Sequence, residues 1–170
     1  TNTHHHDSFD YYLEVRNDPC HNPRVASSTI FNEHCAELKE SLMSCEFQLP
    51  QIFDKDIESE MFEAATGIKM THEEIYLAAE RIKNLFRAIL IRNNGRTRDM
   101  EVNEVYPILT YPDADGRTVS WEDFNHLVDM YYEQRGWDKK TGWPTRETYE
   151  RLGLEEVADE LETLGKLPEK

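Results

Sequence analysis

The sequence predicts an all-α domain, because its apolar residues repeat at helical spacing and several segments begin and end with capping residues. No stretch of the 170 residues alternates apolar and polar positions as a half-buried strand does. A hydrophobic fraction of 38% is enough for one modest core. We therefore expect an irregular helical domain of about five helices, with a long irregular loop over residues 96–119.

The N-terminal part lacks any clear period. We predict an irregular N-terminal segment over residues 1–27 and a helical domain over residues 28–170. One of Ser27, Ser28 and Thr29 is expected to cap a first helix that runs to about residue 44.

A second helix is expected over residues 54–65, with Gly67 as its C-terminal cap. The third has the clearest signals: Thr71 and Glu74 form a capping box, and Gly95 ends the helix. Its apolar residues form one stripe that should face the core. The stripe contains Ile75, Ala78, Ala79, Ile82, Leu85, Phe86 and Ile89.

The next stretch is polar and contains Pro107 and Pro112, which favour the irregular loop. Ser120 with Asp123 and then Thr145 are expected to cap two further helices. These two helices are expected over residues 120–135 and 145–152, and a last helix is expected over residues 155–164.

The charge balance excludes some partners. There are 34 acidic and 19 basic residues, a net charge of −15, whereas nucleic acid and anionic membranes attract basic surfaces. No apolar run approaches the roughly 18 residues of a membrane span. Three cysteines are too few for a disulfide scaffold and favour a reducing, cytoplasmic compartment.

Three colinear blocks carry a resemblance to a known family. The first is SLMSCEF at residues 41–47; the second joins AATG, THEE and ERIKNL over residues 64–85. The third joins MYYEQRGWD, GWPTRET and LGLEEVADEL over residues 130–161. In this order they resemble the C-terminal region of the tungsten-pterin aldehyde ferredoxin oxidoreductase family.

The resemblance implies a partial site. Family members are several times longer and carry an upstream pterin-binding domain and a three-cysteine motif. Because the chain begins with Thr1, we expect a C-terminal segment or a separate small subunit that is inactive by itself. The implied cofactors are a tungsten or molybdenum bis-pterin and a 4Fe-4S cluster whose three other ligands lie outside this chain. The implied partners are the remainder of the enzyme and ferredoxin.

The family pattern Asp-x-x-Gly-Leu-Cys aligns with residues 40–45. It implies that Cys45 ligates the cluster and that Glu40, with Ser44, contacts the pterin. A carboxylate can accept two parallel hydrogen bonds from an aminopyrimidine edge. The sequence departs from the pattern at Glu40, Ser44 and Met43. Met43 replaces a glycine that would allow close backbone approach.

A histidine near the metal is also implied by the resemblance. His4, His5 and His6 align with it when a gap is allowed, and one of them is expected to transfer a proton. A remnant of a purification tag is the alternative.

Two other sequence patterns are weaker indications of a metal site. Cys20-His21 and His34-Cys35 have the composition of a zinc site, but adjacent helical residues point about 100° apart. Asp113 and Asp115 partly match a calcium loop and are better explained by a turn. The aromatic residues Tyr131, Tyr132, Trp137 and Trp143 are expected to be structural.

The leading hypothesis is thus that the chain is part of an oxidoreductase that converts aldehydes to carboxylates with ferredoxin as electron acceptor. Part of a related aromatic acyl-CoA reductase is the first alternative. A non-enzymatic acidic helical module that binds a partner is the second.

Overall fold

The computed structural model describes residues 18–43, 57–113 and 115–169. The regular structure in these ranges is helical, apart from one isolated bridge between Trp137 and Pro144, so the predicted all-α class is confirmed. The helices are α1 (Pro23–Ser41), α2 (Ile57–Thr66), α3 (His72–Asn94), α4 (Arg98–Leu109), α5 (Trp121–Arg135), α6 (Arg146–Arg151) and α7 (Glu155–Thr163).

Helix α1 begins earlier than expected. Its N-terminal cap is Asn22, whose side chain accepts a hydrogen bond from the Arg24 N–H at 3.0 Å. Pro23 occupies the first helical position, where its missing N–H leaves no bond unmade. The Asn-Pro pair was the stronger start signal, and the helix therefore extends into the segment expected to be irregular.

Residues 98–109, predicted to lie in the long loop, form helix α4. The loop prediction was wrong here because it gave too much weight to Pro107, which lies in the last turn. Tertiary packing compensates for the disturbed turn: the Tyr106 ring packs edge-on against Trp121, with 4.8 Å between ring centroids. The described remainder of residues 96–119 is not helical, as expected.

Helix α3 has the caps that the sequence predicts. The Glu74 N–H donates to Thr71 Oγ1 at 3.2 Å, and the Thr71 N–H donates to Glu74 Oε2 at 2.8 Å. Gly95 adopts φ +62° and donates its N–H to the Ile91 carbonyl at 2.9 Å. A left-handed residue at this position ends the helix.

The apolar stripe of α3 is only partly buried. Ile75 and Ala79 belong to the core. In the second half of the helix the predicted face is turned outward, and the buried positions include the polar residues Asn84 and Arg87. The exposed stripe residues are Leu85 (40% exposed), Phe86 (54%) and Ile89 (44%).

Helix α1 lies against both α3 and α5, and α7 packs on α3 and α6. One core joins α3 to the two C-terminal helices and contains Ala88, Ile91, Tyr149, Ala158 and Leu161. A second core fixes the C-terminal half of α1 on α3 through Leu38, Ile75 and Ala79. None of the helices in the described ranges is long and apolar enough to cross a membrane.

Candidate functional site

The C-terminal end of α1 borders the segment for which the resemblance implies cofactor binding. Glu40 lies in the last turn of α1 and is exposed. Within the described ranges its carboxylate makes no hydrogen bond or ion pair, whereas Glu33 of the same helix is paired with two cations. Glu40 is thus available to an external donor. The other predicted site residues lie outside the described ranges: His4, His5, His6, Ser44 and Cys45.

Met43 turns the chain after α1. Its φ is +53°, in the left-handed region that side chains with a Cβ rarely adopt. The Met43 N–H donates to the Glu40 carbonyl at 3.1 Å, and the Met43 side chain is 92% exposed, so no packing offsets the strain. The family pattern has glycine at this position. The turn that ends α1 is therefore a second reason for that glycine, besides close backbone approach.

Met43→Gly is expected to stabilise the fold by roughly 1 kcal/mol, because it removes the left-handed strain at a smaller entropic cost. Urea unfolding of both proteins measures the difference. Leu42→Gly is the matched control: Leu42 has φ −85°, so glycine brings only the entropic cost and should destabilise. Equal shifts for the two variants would contradict the explanation.

Two largely buried polar clusters hold α1, α3, α4 and α5 in place. The first, called the Arg135 cluster, consists of Glu33, His34, Lys83, Tyr131 and Arg135. Glu33 accepts a hydrogen bond from the Tyr131 hydroxyl at 2.6 Å and pairs with Lys83 Nζ at 2.9 Å and with Arg135. Burial alone would raise the pKa of Glu33, but the Arg135 and Lys83 charges and the Tyr131 hydroxyl lower it. Glu33 therefore remains an anion.

His34 is the neutral member of the Arg135 cluster. Its Nε2 lies 2.6 Å from Nη1 of Arg135 and accepts a hydrogen bond from that N–H, since arginine can only donate. Burial, and then the Arg135 charge, lower the pKa of His34 to about 4. The ring packs edge-on against Tyr76, with 4.6 Å between centroids. His34 is thus an acceptor for Arg135 and unsuited to acid–base exchange at neutral pH.

The second group, called the Arg87 cluster, consists of Arg87, Glu101, Tyr132, Trp137 and Gly142. Arg87 donates to the Gly142 carbonyl at 2.8 and 3.1 Å and pairs with Glu101. Its guanidinium lies over the Trp137 ring, 4.8 Å from the centroid. Glu101 also accepts from the Tyr132 hydroxyl at 2.7 Å. The pKa of Glu101 is lowered, because these donors outweigh the effect of burial.

A cleft of about 180 Å³ opens between the two clusters. Phe86 and Leu90 of α3 form its apolar wall, and Lys83, Arg87 and Arg96 are its cations. The carboxylates in its wall are already engaged by these cations. The charged side chains of the cleft are therefore paired with one another and hold the helices in position. They do not form a nucleophile–base pair.

No pattern in the sequence predicts these two polar clusters. Arg87 is not among the apolar stripe residues predicted to face the core, and Arg135 is part of the third block of the resemblance, which assigns it no role. Arginines of a surface helix and of a buried network look alike in sequence. The four aromatic residues assigned a structural role fit that role: Tyr132 and Trp137 are buried, and Trp143 packs on the C-terminal core.

The side chains of the possible zinc and calcium sites are engaged in other contacts. His21 Nδ1 pairs with Asp18 at 2.9 Å, whereas His34 contacts Arg135. In the calcium-like loop, Arg117 pairs with Asp113 at 3.1 Å and with Asp115 at 2.7 Å. Across the described ranges no three His, Cys, Asp or Glu side chains are grouped to hold a metal ion.

Comparison with known proteins places these features in context. A family model described as aldehyde ferredoxin oxidoreductase, domains 2 and 3, matches residues 1–154. The active-site complex BamBC of benzoyl coenzyme A reductase, in complex with 1,5-dienoyl-CoA, is a similar solved structure. The two chains share 32% sequence identity with a TM-score of 0.55, over 68% of this chain and 16% of that chain. The match thus spans less than a fifth of the longer chain.

Proposed function

Because the chain belongs to the aldehyde ferredoxin oxidoreductase family, we propose that it supplies the C-terminal helical part of a tungsten or molybdenum bis-pterin, iron–sulfur oxidoreductase. In this role it contributes one wall of the pterin site and one ligand of a 4Fe-4S cluster. The observation that carries the proposal is the family match over residues 1–154, which includes every predicted site residue. The remaining cluster ligands come from elsewhere, so we expect the isolated chain to be inactive.

The donor chemistry fits these groups. Cys45 would hold an iron of the cluster through its thiolate. Glu40, exposed and unengaged within the described ranges, would accept hydrogen bonds from a pterin edge, with Ser44 beside it. When bound, the metal–pterin group supplies two-electron redox chemistry and the cluster supplies one-electron transfer. The chain's own contribution is to hold and orient these groups.

The proposed reaction is oxidation of an aldehyde with water to a carboxylate. It releases two electrons, which pass to ferredoxin one at a time, and three protons. A histidine among residues 4–6 is proposed to carry a proton away from the substrate. A cytoplasmic location remains a prediction from the cysteine content.

A second candidate is reduction of an aromatic acyl-CoA ring. The similarity to the benzoyl coenzyme A reductase complex favours it. The two candidates differ in the direction of electron flow. Purified intact protein should reduce an artificial acceptor when given aldehydes in the first case. In the second it should consume benzoyl-CoA when given a strong low-potential donor, and should ignore aldehydes.

Cys45→Ala in the intact protein is expected to lower the iron content and to bleach the broad visible absorbance of the cluster, because one thiolate ligand is lost. Iron analysis and visible spectra measure both effects. Cys20→Ala is the matched control, because Cys20 is buried and burial raises the pKa of its thiol. Full iron content in the Cys45 variant would refute the ligand role, and absence of iron from the natural protein would favour a non-enzymatic module.

Replacing His4, His5 and His6 together by alanine is expected to lower turnover by about 10²-fold with metal and iron content unchanged. A proton-transfer group acts in the transition state, whereas a ligand also retains the cofactor. Steady-state kinetics and metal analysis of the same preparation distinguish a proton-transfer group from a metal ligand. Unchanged turnover would leave the histidines without a catalytic role.

A further inference from the structure

The backbone at Met43 is strained. In the part of the chain that the structure describes, Met43 is the single residue other than glycine with a positive φ, at +53°. A residue with a Cβ reaches this left-handed conformation only at an energetic cost. Strain of this kind is concentrated at active sites and ligand contacts, where the surroundings of the residue offset it. The conformation of Met43 therefore points to a functional contact.

The Met43 side chain is also the most exposed of the large apolar side chains in the described ranges. It is 92% exposed, whereas Met61 and Met100 are 43% and 48% exposed. An apolar side chain gains free energy when it leaves water, and the flexible, polarisable thioether adapts to irregular surfaces. Strain and exposure thus occur at the same residue, and one contact with an apolar or soft surface would compensate for both.

The proposed ligand of the iron–sulfur cluster follows Met43 closely in the chain. Two residues of fully extended chain span at most about 7 Å, which limits the distance between the Met43 and Cys45 backbones. On the other side, the Met43 N–H donates to the carbonyl of Glu40, the proposed pterin contact, at 3.1 Å. Covalent connection alone therefore brings the exposed thioether close to the cluster that Cys45 would bind.

We propose that Met43 covers the iron–sulfur cluster held at Cys45, excludes water from it and thereby lowers its reduction potential. The inference rests on the proposed function, which supplies the cluster. Uptake of an electron adds negative charge, which is less stable beside an apolar side chain than in water. Solvent exposure is accordingly one of the factors that set the potentials of such clusters. The glycine of the family pattern provides no cover at this position.

A redox titration of the intact protein, followed by the electron paramagnetic resonance of the reduced cluster, tests the effect on the potential. Met43→Ala retains the strained Cβ but removes the cover, so we expect a higher midpoint potential than in the natural protein. Met43→Leu retains an apolar cover and should keep the natural value. Met100→Ala, on α4, is the distant control and should keep it too. An unchanged potential in Met43→Ala would overturn the proposal, and so would an equal rise in Met43→Leu.

Anaerobic hydroxyl-radical footprinting of the natural intact protein tests the cover itself and needs no variant. We expect Met43 to be labelled more slowly in iron-loaded than in iron-depleted protein, with the half-exposed Met100 labelled equally in both. Equal labelling of Met43 in the two forms would overturn the proposal. If both rates are slow, protein covers the side chain instead of the cluster, and if both are fast, nothing covers it.

Iron content separates this inference from the proposed function. Natural protein without iron refutes both. Iron-containing protein in which Met43 is labelled as fast as in the iron-depleted form refutes the cover alone and leaves the proposed function intact.

Discussion

Arg135→Met is expected to lower the free energy of unfolding by about 3–5 kcal/mol, the usual cost of removing one partner from a buried ion pair. Arg135 is 2% exposed and contacts Glu33, His34 Nε2 at 2.6 Å and the Tyr131 hydroxyl at 3.3 Å. Methionine preserves most of the aliphatic stem, so the loss reports on the charge and its hydrogen bonds. Urea unfolding followed by tryptophan fluorescence measures it.

The matched control is Arg92→Met. Arg92 pairs with Glu160 at 2.7 Å, but both side chains are about half exposed, and such pairs contribute at most about 1 kcal/mol. The double variant Arg135→Met/Glu33→Gln should lose less than the two single variants together, because the carboxylate left behind is neutralised. Similar losses for Arg135→Met and Arg92→Met would contradict the importance assigned to the Arg135 cluster.

Acidification is expected to destabilise the fold from pH 6.5 down to about pH 4. His34 has a pKa of about 4 in the folded state, against an ordinary value of 6.5. Between these values the unfolded chain binds a proton that the folded chain excludes, so stability falls as the pH falls. The full effect is roughly 3 kcal/mol, since each pKa unit corresponds to about 1.4 kcal/mol. Above pH 7 this contribution is constant.

His34→Gln tests the assignment. The glutamine carbonyl can still accept from Arg135 but does not titrate, so stability should be nearly flat between pH 6.5 and 5. Glu33 and Glu101 have lowered pKa values, so their contribution is present above about pH 4.5 and lost as the pH falls further. Urea midpoints from about pH 3 to pH 8 measure both windows. An unchanged slope in the variant would show that another group titrates.

The resemblance and the helix caps could be read from sequence because both are local. The capping box of Thr71 and Glu74 and the glycine end at Gly95 involve residues within one turn. The three blocks can likewise be compared with the family without knowledge of packing, and the family match over residues 1–154 confirms the resemblance. The roles of His4, His5, His6, Glu40, Ser44 and Cys45 remain predictions.

The α4 segment and the interior could not be read in the same way. Pro107 argued against a helix, and only the contact between Tyr106 and Trp121 shows what offsets it. The spacing of the apolar residues in α3 predicted an amphipathic helix. It does not specify which residues contact a neighbouring helix where apolar and polar residues lie on the same face. That choice depended on partners distant in sequence, such as Glu101 for Arg87.

The sequence by itself thus determined the fold class, most helix ends and the family, because these depend on short-range hydrogen bonding and on residue order. Only the tertiary structure decided that Arg87 and Arg135 are buried and that Phe86 faces outward. The physical reason is that a buried charge is tolerated only where carboxylates and carbonyls from other helices surround it. Such an environment exists only once α1, α3, α4 and α5 have come together.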